Sequence, residues 1–312
     1  MTVTYRRTLG LFSGTMAVVG GIIGSGIFNN PAIVAARVHT PGLTLGAWVL
    51  GGVIAVAGAF CFGELGQRRP KAGGGYVYIR EALGALPAFL YAWSLLLVIA
   101  TGATAAVAVT FANYTLPLVG LGTRWALPLA GGAILLLTAI NYIGIRPGAI
   151  TTNIFTVLKL AALGFLIVVG LGAMGVAAPA AAPTMAPANP LFAMAAALVP
   201  VLFAYGGWQQ TNFISEELVD AERNLPRALL LGVGIVVLVY VLANLTYLRT
   251  LGAAGLATST APAADAMRAM LGDTGARLIG LGISASTFGF LNLVIMVSPR
   301  VYQTMAADGL FF

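Results

Sequence analysis

GGIIGSGIFNNP, residues 20–31, lies inside an apolar run that is otherwise long enough to cross a membrane. It holds four glycines, a serine and a proline, and glycine and proline are the poorest helix formers. Inside a bilayer no water is present to pair the backbone groups that a broken helix exposes. The stretch therefore predicts a membrane helix that is interrupted for a functional reason.

The composition is that of a membrane protein. Of the 312 residues, 59% are apolar and 8% are charged, and the mean hydropathy is +0.96. A transmembrane helix needs about 20 apolar residues, and only helices and closed barrels satisfy their backbone groups in lipid. The apolar runs are continuous rather than alternating, so we predict an all-α polytopic fold.

Eight spans are predicted, at about residues 10–36, 42–66, 85–112, 125–143, 151–174, 191–215, 228–248 and 278–304. The Pro/Ala-rich segment 176–190 is predicted to be an outer linker between a first part, residues 1–175 with five spans, and a second part, residues 191–312 with three. Residues 251–277 are weakly amphipathic and predict a loop with a short helix near ADAMRAML.

The basic residues predict the orientation in the membrane. With the N-terminus in the cytoplasm, ten basic residues lie inside and five outside, the bias of a plasma (inner) membrane protein. The inner set is Arg6, Arg7, Arg68, Arg69, Lys71, Arg80, Arg146, Arg223, Arg227 and Arg300, and the outer set is Arg37, Arg124, Arg249, Arg268 and Arg277. This loop basicity accounts for the net charge of +7 without a nucleic-acid partner.

The first interruption has more than one interpretation. Gly20 and Gly24 form a GxxxG pair, which favours close helix packing. A nucleotide-binding loop is disfavoured because no strand precedes the glycines and no acidic residue follows at the required distance. A second interruption, FAYGGWQQ at 203–210, lies in the first span of the second part, and paired breaks of this kind indicate a transporter site.

The two breaks suggest a ligand. A half-helix that begins at a break directs free amides and a positive dipole end at the gap, which suits a carboxylate. A half-helix that ends at a break offers carbonyl oxygens, which suit an ammonium group. Two such breaks facing each other would hold an α-amino acid by its backbone.

Lys159 stands within the fifth predicted span, where a lysine costs roughly 2.5–3.5 kcal/mol. One interpretation is snorkelling, since the predicted start of its helix is about eight residues, or ~12 Å, away. The other is a fixed or titratable cation beside the first break, acting in coupling. A retinal Schiff base is disfavoured because none of the nine acidic residues lies at mid-membrane.

Enzymatic chemistry is not predicted. No nucleophile–base pair is readable in one membrane plane, and the single histidine and single cysteine argue against a metal site and exclude an internal disulfide. The acidic residues at the inner ends of spans 2 and 6 are interpreted as solvated charges or partners of neighbouring arginines, with an inner gate as the alternative. They are Glu64, Glu216, Glu217, Asp220 and Glu222.

Five motifs in order resemble the amino acid–polyamine–organocation superfamily, and in particular its L-type amino acid transporter branch. They are GGIIGSGIF, FGELGQRRPKAGGGYVYIREALG, FAYGGWQQTNFISEEL, AERNLPRALLLG and SPRVYQTMAADGLF, spread over about residues 8–312. The resemblance implies a LeuT-like fold of two inverted five-helix repeats, with helices 1 and 6 broken at the substrate site. It implies sodium-independent exchange or proton-linked uptake of amino acids, with no cofactor.

The resemblance also implies roles for individual residues. The substrate carboxylate would meet amides near Ser25, Gly26 and Ile27, and Gly24 is counted with them as a substrate-binding residue. The amine would meet carbonyls near Ile22, Ile23, Phe203 and Ala204. Phe203 would be the aromatic gate. Tyr205, Trp208 and Gln209 would stand beside the substrate. Lys159 would occupy the place where sodium-coupled relatives bind their ion.

The resemblance is incomplete at its end. The family has twelve spans and its fold needs ten, so this chain of eight predicted spans lacks helices 9 and 10 of the second repeat. The expectation is a fragment, a truncated product or a form that assembles to complete its core. In related animal proteins a cysteine after span 3 links a heavy chain, and residues 113–124 contain none, so no disulfide-linked heavy chain is expected.

Overall fold

The computed structural model describes residues 5–172 and 186–312. The helices of the first part are α1 (Leu11–Ile22), α2 (Gly26–Val38), α3 (Pro41–Arg68), α4 (Gly75–Leu83), α5 (Ala85–Ser94), α6 (Ala100–Thr115), α7 (Ala126–Ile143) and α8 (Ile145–Gly172). Those of the second part are α9 (Pro190–Tyr205), α10 (Ala221–Thr258) and α11 (Pro262–Ala307). A π-helical segment, Leu95–Ile99, joins α5 to α6, and a 3₁₀ helix, Trp208–Glu217, follows α9.

The all-α membrane fold is confirmed. Seven helical segments are long and apolar enough to cross a membrane, and α1 with α2 make an eighth as one bent span. In the described ranges the only strand-like pairing is a parallel bridge between Leu9 and Leu218. The predicted linker falls largely on residues 173–185, which lie outside the described residues.

Local sequence signals account for several helix ends. Thr40 caps α3 by accepting a hydrogen bond from the amide of Leu43 at 3.4 Å, and Asn189 caps α9 by accepting one from Phe192 at 3.0 Å. Each cap is followed by a proline at the first helical position, where its fixed φ is favourable and its missing N–H costs nothing.

Two boundaries differ from the prediction. Residues 251–277 are mostly helical, because α10 and α11 extend into this segment and bend at Gly252 and Gly272, with φ of +69° and +64°. Glycine adopts these angles without strain, so the chain turns between helical arms. Helix α8 begins at Ile145 rather than near 151, which places Lys159 fourteen residues, or about 21 Å, along it.

The helices pack so that α10 runs through the centre of the bundle, against α1, α2, α3 and α8. Helix α11 packs on α6 and α8, and α2 packs on α9. Residues 5–9, the α3–α4 connection and the end of α11 meet on one side of the bundle, which we call the N-side. The opposite side, with the α6–α7 connection and the start of α11, is the far side.

Candidate functional site

The first predicted break is confirmed. Helix α1 ends at Ile22, α2 begins at Gly26, and the two axes bend by 43° across the residues between them. The amide of Gly24 turns back to the carbonyl of Ile22 at 2.9 Å, which prevents the α-helical pattern from continuing. The glycine-rich stretch thus unwinds inside a span.

The second break is confirmed at Gly206 and Gly207. Helix α9 ends at Tyr205, Gly206 is extended, and Gly207 has φ of +110° before the 3₁₀ helix begins at Trp208. A side chain is strained at this positive φ, whereas glycine is not. The two glycines are chemically identical, but only Gly207 requires glycine for its backbone angle.

The two breaks lie against each other through bare backbone. A Cβ atom added to Gly21 would lie 2.9 Å from the carbonyl oxygen of Gly207, and one added to Gly207 would overlap the carbonyl oxygen of Gly21. A Cβ on Gly26 would lie 3.0 Å from Cα of Ala204. Glycine at these positions is what allows the broken helices to meet.

Close packing also explains the GxxxG pair. A Cβ on Gly20 would lie 2.7 Å from Oγ1 of Thr156 on α8, and one on Gly24 would lie 3.3 Å from the ring of Phe290 on α11. The packing interpretation is therefore correct for these two glycines. Close packing and unwinding both occur in this stretch.

The N-terminus of α2 is the anion-attracting end of the site. Ser25 occupies the cap position, and among the described residues its side chain makes no capping hydrogen bond. The amides that begin the helix, those of Ser25, Gly26 and Ile27, are those predicted to meet a carboxylate. The positive end of the helix dipole is directed at the same point.

Lys159 caps the other half-helix. Its side chain is 0% exposed, and its Nζ donates to the carbonyl oxygens of Gly20 at 3.2 Å and Ile23 at 2.6 Å. The snorkelling interpretation is wrong, because the ammonium lies at the break and the helix start is farther away than predicted. A cation at the C-terminal end of α1 is favoured by the helix dipole and pairs carbonyls that the helix leaves free.

Two hydroxyl groups at the site were missed by the sequence analysis. The Tyr240 hydroxyl lies 3.2 Å from the carbonyl oxygens of both Ile22 and Ala204, and so bridges the ends of α1 and α9. Ser286 Oγ lies 3.2 Å from the carbonyl oxygens of Ile23 and Gly24. The only available signal was a polar side chain within an apolar span.

The carbonyls predicted for the substrate amine already have partners inside the protein. The carbonyl of Ile22 accepts from the Tyr240 hydroxyl and from the amide of Gly24, and that of Ala204 accepts from Tyr240. The carbonyl of Ile23 accepts from Lys159 and Ser286. That of Phe203 accepts from the amide of Gly206 at 3.2 Å. A carbonyl oxygen has two lone pairs, so the carbonyls of Ala204 and Phe203 can each take a second donor. At Ile22 and Ile23 an ammonium group would have to replace one of the two donors already present.

The side chains after Ala204 do not converge on the first break. Tyr205 is buried and donates to the carbonyl of Trp48 at 3.1 Å, while Gln209 folds back to accept from the amide of Gly207 at 3.0 Å. With Trp208 they line a pocket of about 440 Å³ between α3, α5 and the second break. Of the described residues lining it, none belongs to the stretch 22–27.

Phe203 lies on the outer surface of the bundle. Its side chain is 76% exposed, whereas its neighbours Ala204 and Tyr205 are buried. In this arrangement it does not cover either break. Its assignment as a gate stays a prediction.

An ion pair with little exposure lies on the N-side. Glu217, 2% exposed, accepts from Arg300, 18% exposed, at 2.8 Å. The backbone carbonyl of Glu217 also accepts from the amides of Thr8 and Leu9 at 3.0 Å. Tyr5 donates to Gln303 nearby, and burial raises the pKa of its phenol.

The other acidic residues at the N-side are more exposed. Glu64 pairs with Arg68 and Asp220 with Arg223, as predicted for solvated partners, but Glu217 pairs with Arg300 rather than with a neighbouring arginine. Across the described residues, no three His, Cys, Asp or Glu side chains are grouped to hold a metal ion.

Removing the Tyr240 hydroxyl tests whether it occupies the carbonyls in place of a substrate amine. We expect Tyr240→Phe to destabilise the ligand-free protein by about 1 kcal/mol. The gain in melting temperature on adding L-leucine should be larger than in the unmodified protein, because an ammonium group then no longer competes with the hydroxyl for the carbonyls of Ile22 and Ala204. Thermal unfolding with and without L-leucine measures both effects. Tyr142→Phe, at a tyrosine that is 93% exposed, is the control; an unchanged ligand effect contradicts the interpretation.

The fold and the site define a polytopic membrane protein of the broken-helix type. Residues 9–312 match the profile of the family described as amino acid permease, and the chain belongs to this family. It is not an enzyme.

Several curated relatives are similar over nearly the whole of this chain. Large neutral amino acids transporter small subunit 2 of Mus musculus is 36% identical over 98% of the chain and 59% of its own length. Asc-type amino acid transporter 1 of Homo sapiens is 33% identical over 98% of this chain and 60% of its own length. The b(0,+)-type amino acid transporter 1 of Homo sapiens is 33% identical over 99% of this chain and 64% of its own length. The chain thus spans about three-fifths of the length of these relatives.

Proposed function

We propose that this chain forms the substrate site of a secondary transporter for amino acids that works by alternating access. The observation that carries the proposal is the direct contact of two broken helices at Gly21 and Gly207. That contact brings a free helix N-terminus and the carbonyl ends of two half-helices to one place. A zwitterion presents the complementary charges.

The substrate is held by its backbone. Its carboxylate accepts hydrogen bonds from the amides of Ser25, Gly26 and Ile27, and its ammonium donates to the carbonyls of Ile22 and Ala204. Tyr240 shares those two carbonyls at 3.2 Å. Binding of the ammonium therefore competes with the hydroxyl or displaces it, which links occupancy of the site to the position of α10.

The preferred substrates are neutral. When it is protonated, Lys159 places a positive charge at the first break, and no acidic residue lies within either interrupted stretch, so a cationic side chain is disfavoured. The name of one relative specifies large neutral amino acids. A small or apolar side chain is what these surroundings favour.

Coupling is sodium-independent in this proposal. Lys159 and Ser286 share the carbonyl oxygen of Ile23, at 2.6 and 3.2 Å, and the resemblance places the ion of sodium-coupled relatives at the position of Lys159. A protonated Lys159 already at this position would repel a sodium ion. Exchange or proton-linked uptake is the remaining mode.

The N-side is cytoplasmic, in the plasma (inner) membrane, because ten of the fifteen loop basic residues are placed there by the sequence. Alternation is a rocking of α1, α2, α3, α9 and α10 against α5, α6, α7 and α11. In this proposal, residues 1–175 form the first inverted repeat and residues 191–312 belong to the second. The Glu217–Arg300 pair, with residues 8 and 9 bound beside it, is the inner gate.

Breaking the inner gate tests the rocking model. We expect Glu217→Gln to leave the half-buried Arg300 without a counter-charge and to favour the state open to the N-side. In a Cys61→Ser background, a thiol introduced by Ser25→Cys should then react faster with a reagent added on the N-side, by about tenfold. Glu64→Gln removes an exposed pair and is the control. Equal reaction rates in the two variants argue against a gate at Glu217.

A second candidate function is a binding or partner protein that does not transport by itself. One observation favours it: the predicted gate Phe203 is 76% exposed and covers neither break. A heavy-chain partner is compatible with it, although a disulfide link is not expected.

Counterflow separates these functions. Liposomes that contain the purified chain and are loaded with unlabelled amino acid should accumulate labelled neutral amino acids without a sodium gradient. A version extended with the remaining helices of a relative is the matched comparison. Thermal stabilisation by amino acids without counterflow supports the binding function, and counterflow that needs external sodium contradicts the proposed coupling.

A further inference from the structure

A pocket of about 490 Å³ opens on the far side of the bundle, apart from the two breaks. Its walls are the end of α6, with Asn113 and Tyr114, and the two arms of α11 around the bend at Gly272. Small-molecule pockets in proteins commonly have volumes of about 300–1,000 Å³. This pocket is large enough for one amino acid with some of its hydration water.

The charges in this pocket are not evenly compensated. Arg268 pairs with Asp265 at 3.1 Å and with Asp273 at 3.3 Å, so its charge is neutralised by two carboxylates. Arg277 also lines the pocket, and within residues 5–172 and 186–312 no carboxylate lies within 4.0 Å of its guanidinium. The pocket therefore presents one uncompensated guanidinium beside one carboxylate, Asp273.

The pocket is connected to the first break by a single side chain. Tyr114 lines the pocket, and its hydroxyl lies 3.4 Å from Oδ1 of Asn29. Asn29 is on the first turn of α2, three residues after Gly26. Tyr114 thus lies between a ligand in the pocket and the first turn of α2, whose amides are assigned to the substrate carboxylate in the proposed function.

We propose that this pocket is an outer binding site for the zwitterionic amino acid, which it occupies before it reaches the breaks. The carboxylate of the amino acid pairs with Arg277, since a guanidinium group can donate two parallel hydrogen bonds to a carboxylate. The ammonium faces Asp273. The inference rests on the proposed function for the identity of the ligand. The site is weak because its charged groups are solvated, which suits a station that must release its ligand inward.

Protection of an introduced thiol tests the site without requiring transport. Asn113 is exposed and lines the pocket, so Asn113→Cys in a Cys61→Ser background gives one reactive thiol there. We expect L-leucine to slow its modification by a charged, membrane-impermeant thiol reagent. L-leucinol, which lacks the carboxylate, should not protect. In the added presence of Arg277→Gln, the concentration of L-leucine for half-maximal protection should rise about fivefold.

Arg249→Gln is the matched control, because Arg249 is exposed, is placed on the same side by the sequence and does not line the pocket. Absence of protection by L-leucine overturns the proposal, as does equal protection by L-leucinol. If binding at the central breaks protected the thiol indirectly, Arg277→Gln would leave the half-maximal concentration unchanged, and that result also overturns it. If L-leucine protects the thiol but the protein shows no counterflow, the result contradicts the proposed transport function and leaves the outer site in place.

Discussion

Gly207→Ala is expected to destabilise the protein by about 3 kcal/mol and to abolish amino acid binding. The alanine side chain is strained at φ of +110°, and its Cβ would overlap the carbonyl oxygen of Gly21, so the two broken helices must separate. Separation removes the site that both helices form. The melting temperature of the purified protein and its shift with L-leucine measure the two losses.

The adjacent glycine provides the control. Gly206 has φ of −65°, which alanine adopts readily, and a Cβ there would lie 3.3 Å from the carbonyl oxygen of Phe203. Gly206→Ala should therefore keep binding with a small loss of stability. Similar losses in the two variants would show that flexibility of the pair, and not the contact with Gly21, is what matters.

Lys159→Met is expected to reduce transport by at least about a hundredfold while expression stays close to normal. The side chain has a similar length and fills the same space, but the carbonyl of Gly20 loses its ammonium donor and that of Ile23 keeps only Ser286. In residues 5–172 and 186–312 no carboxylate pairs with this ammonium, so its removal offsets part of the lost hydrogen bonding and affects folding less than function.

Initial rates in liposomes from pH 5 to pH 8 check the role of this lysine in coupling. If transport is proton-linked, the initial rate of the unmodified protein should vary with pH across this range, and the rate of the methionine variant should not. Lys71→Met, at an exposed N-side lysine that pairs loosely with Glu81, should behave as the unmodified protein. The same rates and the same flat profile in all three proteins would remove Lys159 from the coupling mechanism.

The sequence predicted the fold class, the eight spans and both interruptions, because these depend on residue type over short windows. Gly-Ser-Gly and Gly-Gly weaken a helix wherever they stand, and a run of apolar residues crosses lipid whatever its neighbours are. Lys159 was also identifiable, since an ammonium within a span is costly unless it has partners.

Other predictions failed or stayed open because they concern contacts between distant parts of the chain. The start of α8 was placed six residues too late, and this made snorkelling of Lys159 plausible. Gln209 was assigned to the substrate but caps the amide of Gly207, and Phe203 was assigned as a gate but points outward. Tyr240 and Ser286 were not identified because a single hydroxyl in an apolar span has no periodic pattern.

The sequence by itself determined where the backbone unwinds, since glycine and proline act through their own dihedral angles and need no partner. The tertiary structure alone decided which atoms meet at the unwound segments. Lys159, Tyr240 and Ser286 reach the freed carbonyls only because α8, α10 and α11 pack around the breaks, and that packing depends on contacts between residues more than a hundred positions apart. A hydrogen bond at 3 Å is fixed by how helices approach each other, and no local pattern of residues records that distance.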